Sequence, residues 1–183
     1  NNARQRALIQ AIDRHGITIM ADEYQAAVEA AWAMFHEVWN KEHRTPSPRE
    51  LVEYIWNYLK LPEDLQAVES LVVEFGESIL KAPPMIISGV KEALDILKEK
   101  YTLAIVSDTG FSPGSVMKIL MKKNNIFDYF SAFSFSNETG VSKPNPKAFS
   151  SALDILGASP ENAVHIGDIE RTDIAGAKAL KMK

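Results

Sequence analysis

Polar residues that suit phosphate chemistry follow three short apolar runs of this sequence. The first run ends at Ser107, and the second is followed by a loop that contains Lys143. The third run leads to Asp168 and, in the next loop, to Asp173. A hydroxyl can bind phosphate oxygens, an ammonium offsets the charge of a transferred phosphoryl group, and carboxylates bind Mg2+. These residue types indicate phosphoryl transfer, provided that the fold brings them to one place.

The pattern that follows Pro83-Pro84 alternates helix and strand, which is typical of a parallel sheet. Apolar runs predict strands over 103–106, 132–136 and 163–166, with helices between them. In such a sheet, ligands bind beyond the carboxyl ends of the strands. We therefore expect the hydroxyl, the ammonium and the two carboxylates to meet at one rim of the sheet.

The N-terminal part of the chain has a different pattern, with amphipathic helices and no convincing strand. Four helices are predicted, of which the third begins with Ser47 as its N-cap, Pro48 at the first helical position and Glu50 at the third. We predict a helical domain over residues 1–82 and an α/β core domain over residues 83–183.

Composition narrows the possible functions. The 183 residues include 46% hydrophobic and 24% charged residues, and the net charge is -4 without any massed basic block. Nucleic acid is therefore not expected as a partner, and no apolar run approaches the roughly 18 residues that a membrane-spanning helix needs. Cysteine is absent, so a bound metal would need oxygen or imidazole ligands. We expect a cytoplasmic protein, and the oligomeric state stays open.

Taken together and in order, the motifs resemble those of the haloacid dehalogenase-like hydrolases, in particular the magnesium-dependent phosphatases with an inserted helical cap. The stretch "LAIVSDTG" is similar to the second motif of that family, "GVSKPNPKAF" to the third and "HIGDIERTD" to the fourth. The resemblance extends over the whole chain. It implies an α/β fold in which a Rossmann-like parallel sheet core carries a helical-bundle cap of type I at residues 1–82.

The same resemblance implies a role for each matching residue. Asp168 would be a ligand of Mg2+, and Asp173 would be a supporting catalytic acid. Lys143 would steady both the nucleophile and the substrate phosphate. The other substrate contacts that it implies are Ser107, Thr109 and Gly110. The implied reaction is hydrolysis of a small phosphorylated metabolite through an aspartyl-phosphate intermediate.

Two departures from the family pattern matter. The first motif, DxDx[TV], is missing, since no Asp-x-Asp occurs in the sequence, and its first aspartate would be the nucleophile. The family also continues into another strand beyond Met182-Lys183, so we expect a core without the family's first and last strands, inactive by itself, and an upstream strand that carries the motif. At Asp108 many relatives have Asn, and because a carboxylate repels phosphate we expect no substrate contact from this side chain.

Other interpretations stay open at this point. Dehalogenation of a 2-haloacid shares the fold and the cap but needs no magnesium, and the missing nucleophile would suit a non-catalytic phosphate-binding or interaction module. Asp173 could simply be a first-turn acid of a helix, and Lys143 a solvated loop lysine. His165 lies within an apolar run and is interpreted as a packed core histidine, and the tryptophans of residues 1–82 as cap packing.

Overall fold

The computed structural model describes residues 2–183. Four helices precede the sheet: α1 (Asn2–Asp13), α2 (Ala21–Glu42), α3 (Pro48–Tyr58) and α4 (Leu65–Lys81). The elements that follow are α5 (Val90–Lys98), β1 (Leu103–Ser107), α6 (Gly114–Lys123), β2 (Phe130–Phe135), α7 (Ser136–Thr139), α8 (Pro146–Leu156) and α9 (Ala175–Ala179). A π-helical turn over Glu170–Ile174 leads directly into α9. The α/β class predicted from the sequence is confirmed.

The first four helices pack around one apolar core, as their amphipathic patterns predict. Its buried residues include Leu8 of α1, Ala27 of α2, Leu51 of α3 and Leu71 of α4. Phe111, from the loop after β1, is buried in the same cluster. The division of the chain at residues 82 and 83 stays a prediction. None of the helices within residues 2–183 is long and apolar enough to cross a bilayer.

The predicted start of the third helix is confirmed. The Ser47 side chain accepts a hydrogen bond from the Glu50 N–H, and the Glu50 carboxylate accepts one from the Ser47 N–H. We expect Ser47→Ala to lower the free energy of unfolding by about 1 kcal/mol, because one N–H of the first turn loses its acceptor. Urea unfolding measures the change. Ser151→Ala is the control, since that exposed hydroxyl bonds only within α8, and an equal loss in both variants would contradict the prediction.

β1 and β2 form a parallel pair in which Ala104 lies opposite Ala132 and Ser107 opposite Phe135. The sheet is covered by α8, which contacts both strands. Because both strands run in the same direction, Ser107 and the residues after Phe135 lie at the same rim. Polar residues that follow the strands are thereby brought to one end of the sheet.

The prediction of a third strand over 163–166 is wrong for the described part of the chain. The segment bonds to Lys183, whose N–H donates to the Ala163 carbonyl and whose carbonyl accepts from the His165 N–H, but it does not pair with β1. Val164 is 61% exposed and Ile166 is 83% exposed. An apolar run becomes a buried strand only where a neighbouring strand satisfies its N–H and C=O groups, and within residues 2–183 no strand stands beside this segment.

Candidate active site

Three loops meet at the rim of the sheet. The first follows β1, the second lies between α7 and α8 and contains Lys143, and the third is the π-helical turn that contains Asp173. Of the four groups predicted to meet at the rim, the structure brings Lys143 and Asp173 into direct contact. The distance from the Lys143 Nζ to the Asp173 Oδ1 is 2.8 Å.

Asp173 is the buried centre of this group, with only 2% of its surface exposed. Its Oδ1 accepts hydrogen bonds from Lys143 and His165, and its Oδ2 accepts one from the Ile169 N–H at 3.2 Å. Burial by itself raises the pKa of the Asp173 carboxyl, but the hydrogen bonds from Lys143 and His165 outweigh it and hold that pKa below its usual range. Asp173 is therefore an ionised acceptor that fixes the lysine ammonium in place.

His165 has a partner that sequence reasoning missed. Its ring packs edge-on against Phe149, with 5.0 Å between the ring centroids, which agrees with a packed histidine. Its Nε2 also lies 2.8 Å from the Asp173 Oδ1. Because an ionised carboxylate only accepts hydrogen bonds, the Nε2 must donate. His165 therefore helps to hold the carboxylate that holds Lys143.

Gly167 lies against the same carboxylate. A Cβ added at this position would overlap the Cβ, Cγ and Oδ1 of Asp173. The glycine before Asp168 is thus required by the close approach of the backbone to Asp173. This explains physically why the sequence has glycine at that place.

The residues after β1 line a shallow cleft of about 200 Å3. Its wall includes Ser107 at the end of β1 and Gly110 from the loop that follows, together with Arg4 of α1 and Trp32 of α2. The Arg4 Nε donates to the Phe75 carbonyl, and the guanidinium remains charged although burial lowers its pKa. No motif pointed to Arg4 or Trp32, since both come from helices distant in sequence.

Thr109 lines the cleft but is almost fully buried. Its N–H donates to the Ser136 Oγ at 2.8 Å, and its Oγ1 bonds to Ser136 and to the Asn137 Oδ1. A substrate contact by the Thr109 hydroxyl would require these bonds to break. Its substrate role stays a prediction, and in this structure the residue ties the β1 loop to α7.

Asp168 has an exposed side chain, unlike the buried Asp173. Across residues 2–183, no group of three or more acidic or histidine side chains is arranged to hold a metal ion. Asp108 and Asp173 accept hydrogen bonds with both of their oxygens, whereas Asp168 makes no hydrogen bond within the described chain. Since Mg2+ is usually held by one or two carboxylates, with water and substrate phosphate completing the shell, Asp168 suits part of such a site.

The chain is similar in sequence and in fold to known proteins. The chain is 29% identical over 182 residues to the glyceraldehyde 3-phosphate phosphatase of Pyrococcus furiosus, covering 99% of this chain and 70% of that protein. Its fold is similar to that of the hydrolase YfnB from Bacillus subtilis bound to magnesium, with a TM-score of 0.60, 17% identity, and coverage of 100% of this chain and 78% of that one.

The fold is equally similar to that of a 2-haloacid dehalogenase from Pseudomonas syringae, with a TM-score of 0.63 and 20% identity over 99% of this chain and 76% of that one. The fold alone therefore does not separate a phosphatase from a dehalogenase. The family model of the haloacid dehalogenase-like hydrolases matches residues 2–181. The chain belongs to the haloacid dehalogenase-like hydrolases.

Proposed function

We propose that this protein is a Mg2+-dependent hydrolase of a small phosphomonoester. The observation that carries the proposal is the buried pair of Lys143 and Asp173 at the rim where β1 ends in a hydroxyl. A lysine held in this way keeps two of its three ammonium protons for other acceptors. It can therefore offset the charge on a phosphoryl group without moving away from its carboxylate.

The cleft beside β1 supports a phosphate as the ligand. The Ser107 hydroxyl makes no hydrogen bond to another described residue, so it is available to donate to a phosphate oxygen. Gly110 adds a small residue on the same wall, and Arg4 adds a positive charge from α1. Asp108 is the acidic residue on that wall, and both of its oxygens already accept N–H groups.

Asp168 would hold the magnesium ion, and the ion would neutralise negative charge on the substrate phosphate. The aspartate nucleophile would come from a further strand between β1 and segment 163–166. Two observations support that position: β1 pairs on one side only within the described chain, and Val164 and Ile166 are exposed. The aspartate oxygen would bond to phosphorus as the bond to the alcohol oxygen breaks, and water would then release inorganic phosphate.

Glyceraldehyde 3-phosphate, which the similar Pyrococcus protein is named for, is a reasonable first substrate to assay. Dehalogenation of a 2-haloacid is the second candidate, favoured only by the shared fold. It differs in needing no metal. Phosphatase activity that survives chelation of magnesium would therefore contradict the metal-dependent proposal. Release of chloride from a 2-haloacid that is lost when a site residue is replaced would favour the dehalogenase.

The Asp168→Asn variant of the full-length protein tests the metal assignment. We expect its Mg2+-dependent turnover of an aryl phosphate to fall at least about a hundredfold, because the amide supplies no charge to the ion. Calorimetric titration with MgCl2 gives a second reading and should show weaker binding. Asp154→Asn, on the exposed face of α8, is the control. Equal rates for the wild type and Asp168→Asn would remove Asp168 from the metal site.

A further inference from the structure

Asp108 directly follows β1, and its carboxylate makes two contacts that the proposed phosphatase chemistry does not explain. Its Oδ1 accepts a hydrogen bond from the backbone N–H of Lys143 at 3.1 Å. Its Oδ2 accepts one from the Nε1–H of Trp39, in α2, at 2.9 Å. One side chain thus joins the lysine loop to a helix of the N-terminal bundle.

The chemistry of these two neighbours explains why the residue is an acid. Both partners are N–H donors, so both oxygens of the side chain must accept. An asparagine would offer one acceptor and one N–H2 group, which would face a donor. Burial raises the pKa of the Asp108 carboxyl, and the Lys143 N–H, the Lys143 charge and the Trp39 indole only partly oppose that effect.

Other contacts tie the same end of α2 to the loops of the site. The Ser142 N–H donates to the His43 carbonyl at 2.7 Å, so two consecutive N–H groups of the lysine loop have partners outside that loop. The Arg171 guanidinium lies over the Trp39 ring, 4.0 Å from its centroid. Arg171 belongs to the π-helical turn that carries Asp173. Trp39 therefore contacts Asp108, which holds Lys143, and the turn that holds the partner of Lys143.

We infer that Asp108 and Trp39 are positioning residues that fix the backbone of Lys143 relative to α2. The inference rests on the proposed role of Lys143 in the reaction. A displacement of α2 would be transmitted to the lysine loop through the Asp108 carboxylate and through the Ser142–His43 hydrogen bond. The Lys143 ammonium is therefore aligned only when α2 lies against the rim. Misplacing a catalytic group by about 1 Å costs up to a hundredfold in rate.

The test uses Trp39→Phe and Asp108→Asn in the full-length protein. Trp39→Phe keeps an aromatic ring under Arg171 but removes the indole N–H. We expect each variant to lower kcat about tenfold, because the chemistry loses alignment. In Trp39→Phe, which leaves the residues of the cleft wall unchanged, KM should change by less than about twofold. The double variant should be about as slow as Asp108→Asn alone, since both changes break one connection.

A spectroscopic measurement and a control variant separate a positioning role from a general loss of stability. The backbone amide resonance of Lys143 in 1H–15N spectra should shift in both variants. Trp56→Phe is the matched control, because its indole donates to the Pro62 carbonyl inside the helical bundle, and it should leave kcat and that resonance unchanged. Should Asp108→Asn fail to fold, Trp39→Phe alone decides the question.

An unchanged kcat and an unchanged Lys143 amide in Trp39→Phe would overturn the inference, as would a double variant whose loss equals the product of the two single losses. A full-length protein that hydrolyses no phosphomonoester would overturn the proposed function instead. In that case the Lys143 amide would still decide whether Asp108 and Trp39 fix its position.

Discussion

Replacing Lys143 with methionine should lower kcat of the full-length enzyme by at least about a hundredfold. The methionine side chain fills similar space but carries no positive charge, so charge on the transferred phosphoryl group is no longer offset. The variant also leaves Asp173 buried with His165 as its one remaining side-chain partner among the described residues. A steady-state assay on an aryl phosphate with saturating Mg2+ measures the loss.

Lys147→Met is the matched control. Lys147 lies at the start of α8, is exposed, and its Nζ donates to the Thr139 carbonyl. Its replacement should leave kcat within about twofold, since a solvated lysine contributes little. Lys143→Arg should not restore the rate, because a planar guanidinium cannot replace a compact ammonium over a buried carboxylate. Equal activity in Lys143→Met and the wild type would show that the lysine is structural only.

Replacing Asp173 with asparagine is expected to lower the free energy of unfolding by about 3 kcal/mol at neutral pH. The change leaves the Lys143 ammonium without its carboxylate. It also replaces one carboxylate oxygen with an N–H2 group, so that one of the three hydrogen bonds to Asp173 becomes a contact between two donors. Activity should fall with it, by about a hundredfold, because the ammonium is no longer held. Urea unfolding and the phosphatase assay measure the two effects, and Asp154→Asn controls for loss of an exposed carboxylate.

The difference in the free energy of unfolding between wild type and Asp173→Asn should become smaller as the pH falls. The folded-state pKa of this carboxyl lies below its unfolded value of about 3.9. The ionised form therefore contributes stability above the unfolded pKa, and that contribution is lost as the pH falls through the folded pKa. We expect the gap between wild type and Asp173→Asn to be wide near pH 7 and to narrow in acid. A gap that widened on acidification would contradict the assignment.

Much of the fold follows from local sequence signals. Periodicity predicted the four N-terminal helices, and the cap of α3 at Ser47 is made by residues within three positions of one another. The first two strands were also predicted, although β2 covers 130–135 instead of 132–136. Such signals work because a helix or its cap depends on neighbours in the chain.

The segment 163–166 shows where local signals fail. Its apolar run predicts a strand, yet the segment does not pair with β1 or β2 in the sheet. The hydrogen bonds of a strand come from another part of the chain, so a short window of sequence cannot show whether they exist. The same reasoning applies to His165, whose packing was predicted and whose bond to Asp173 was not.

By itself, the sequence determined the α/β class and the order of the helices, because amphipathic patterns lie within short windows. It named Lys143 and Asp173 as candidate residues only through their resemblance to family motifs. Only the tertiary structure decided which groups each acid contacts. Asp173 holds Lys143 across 30 positions, and Asp108 joins that lysine to Trp39 across 35 and 69 positions. These partners become neighbours only after the chain has folded, since a hydrogen bond depends on distances in space that no spacing along the chain specifies.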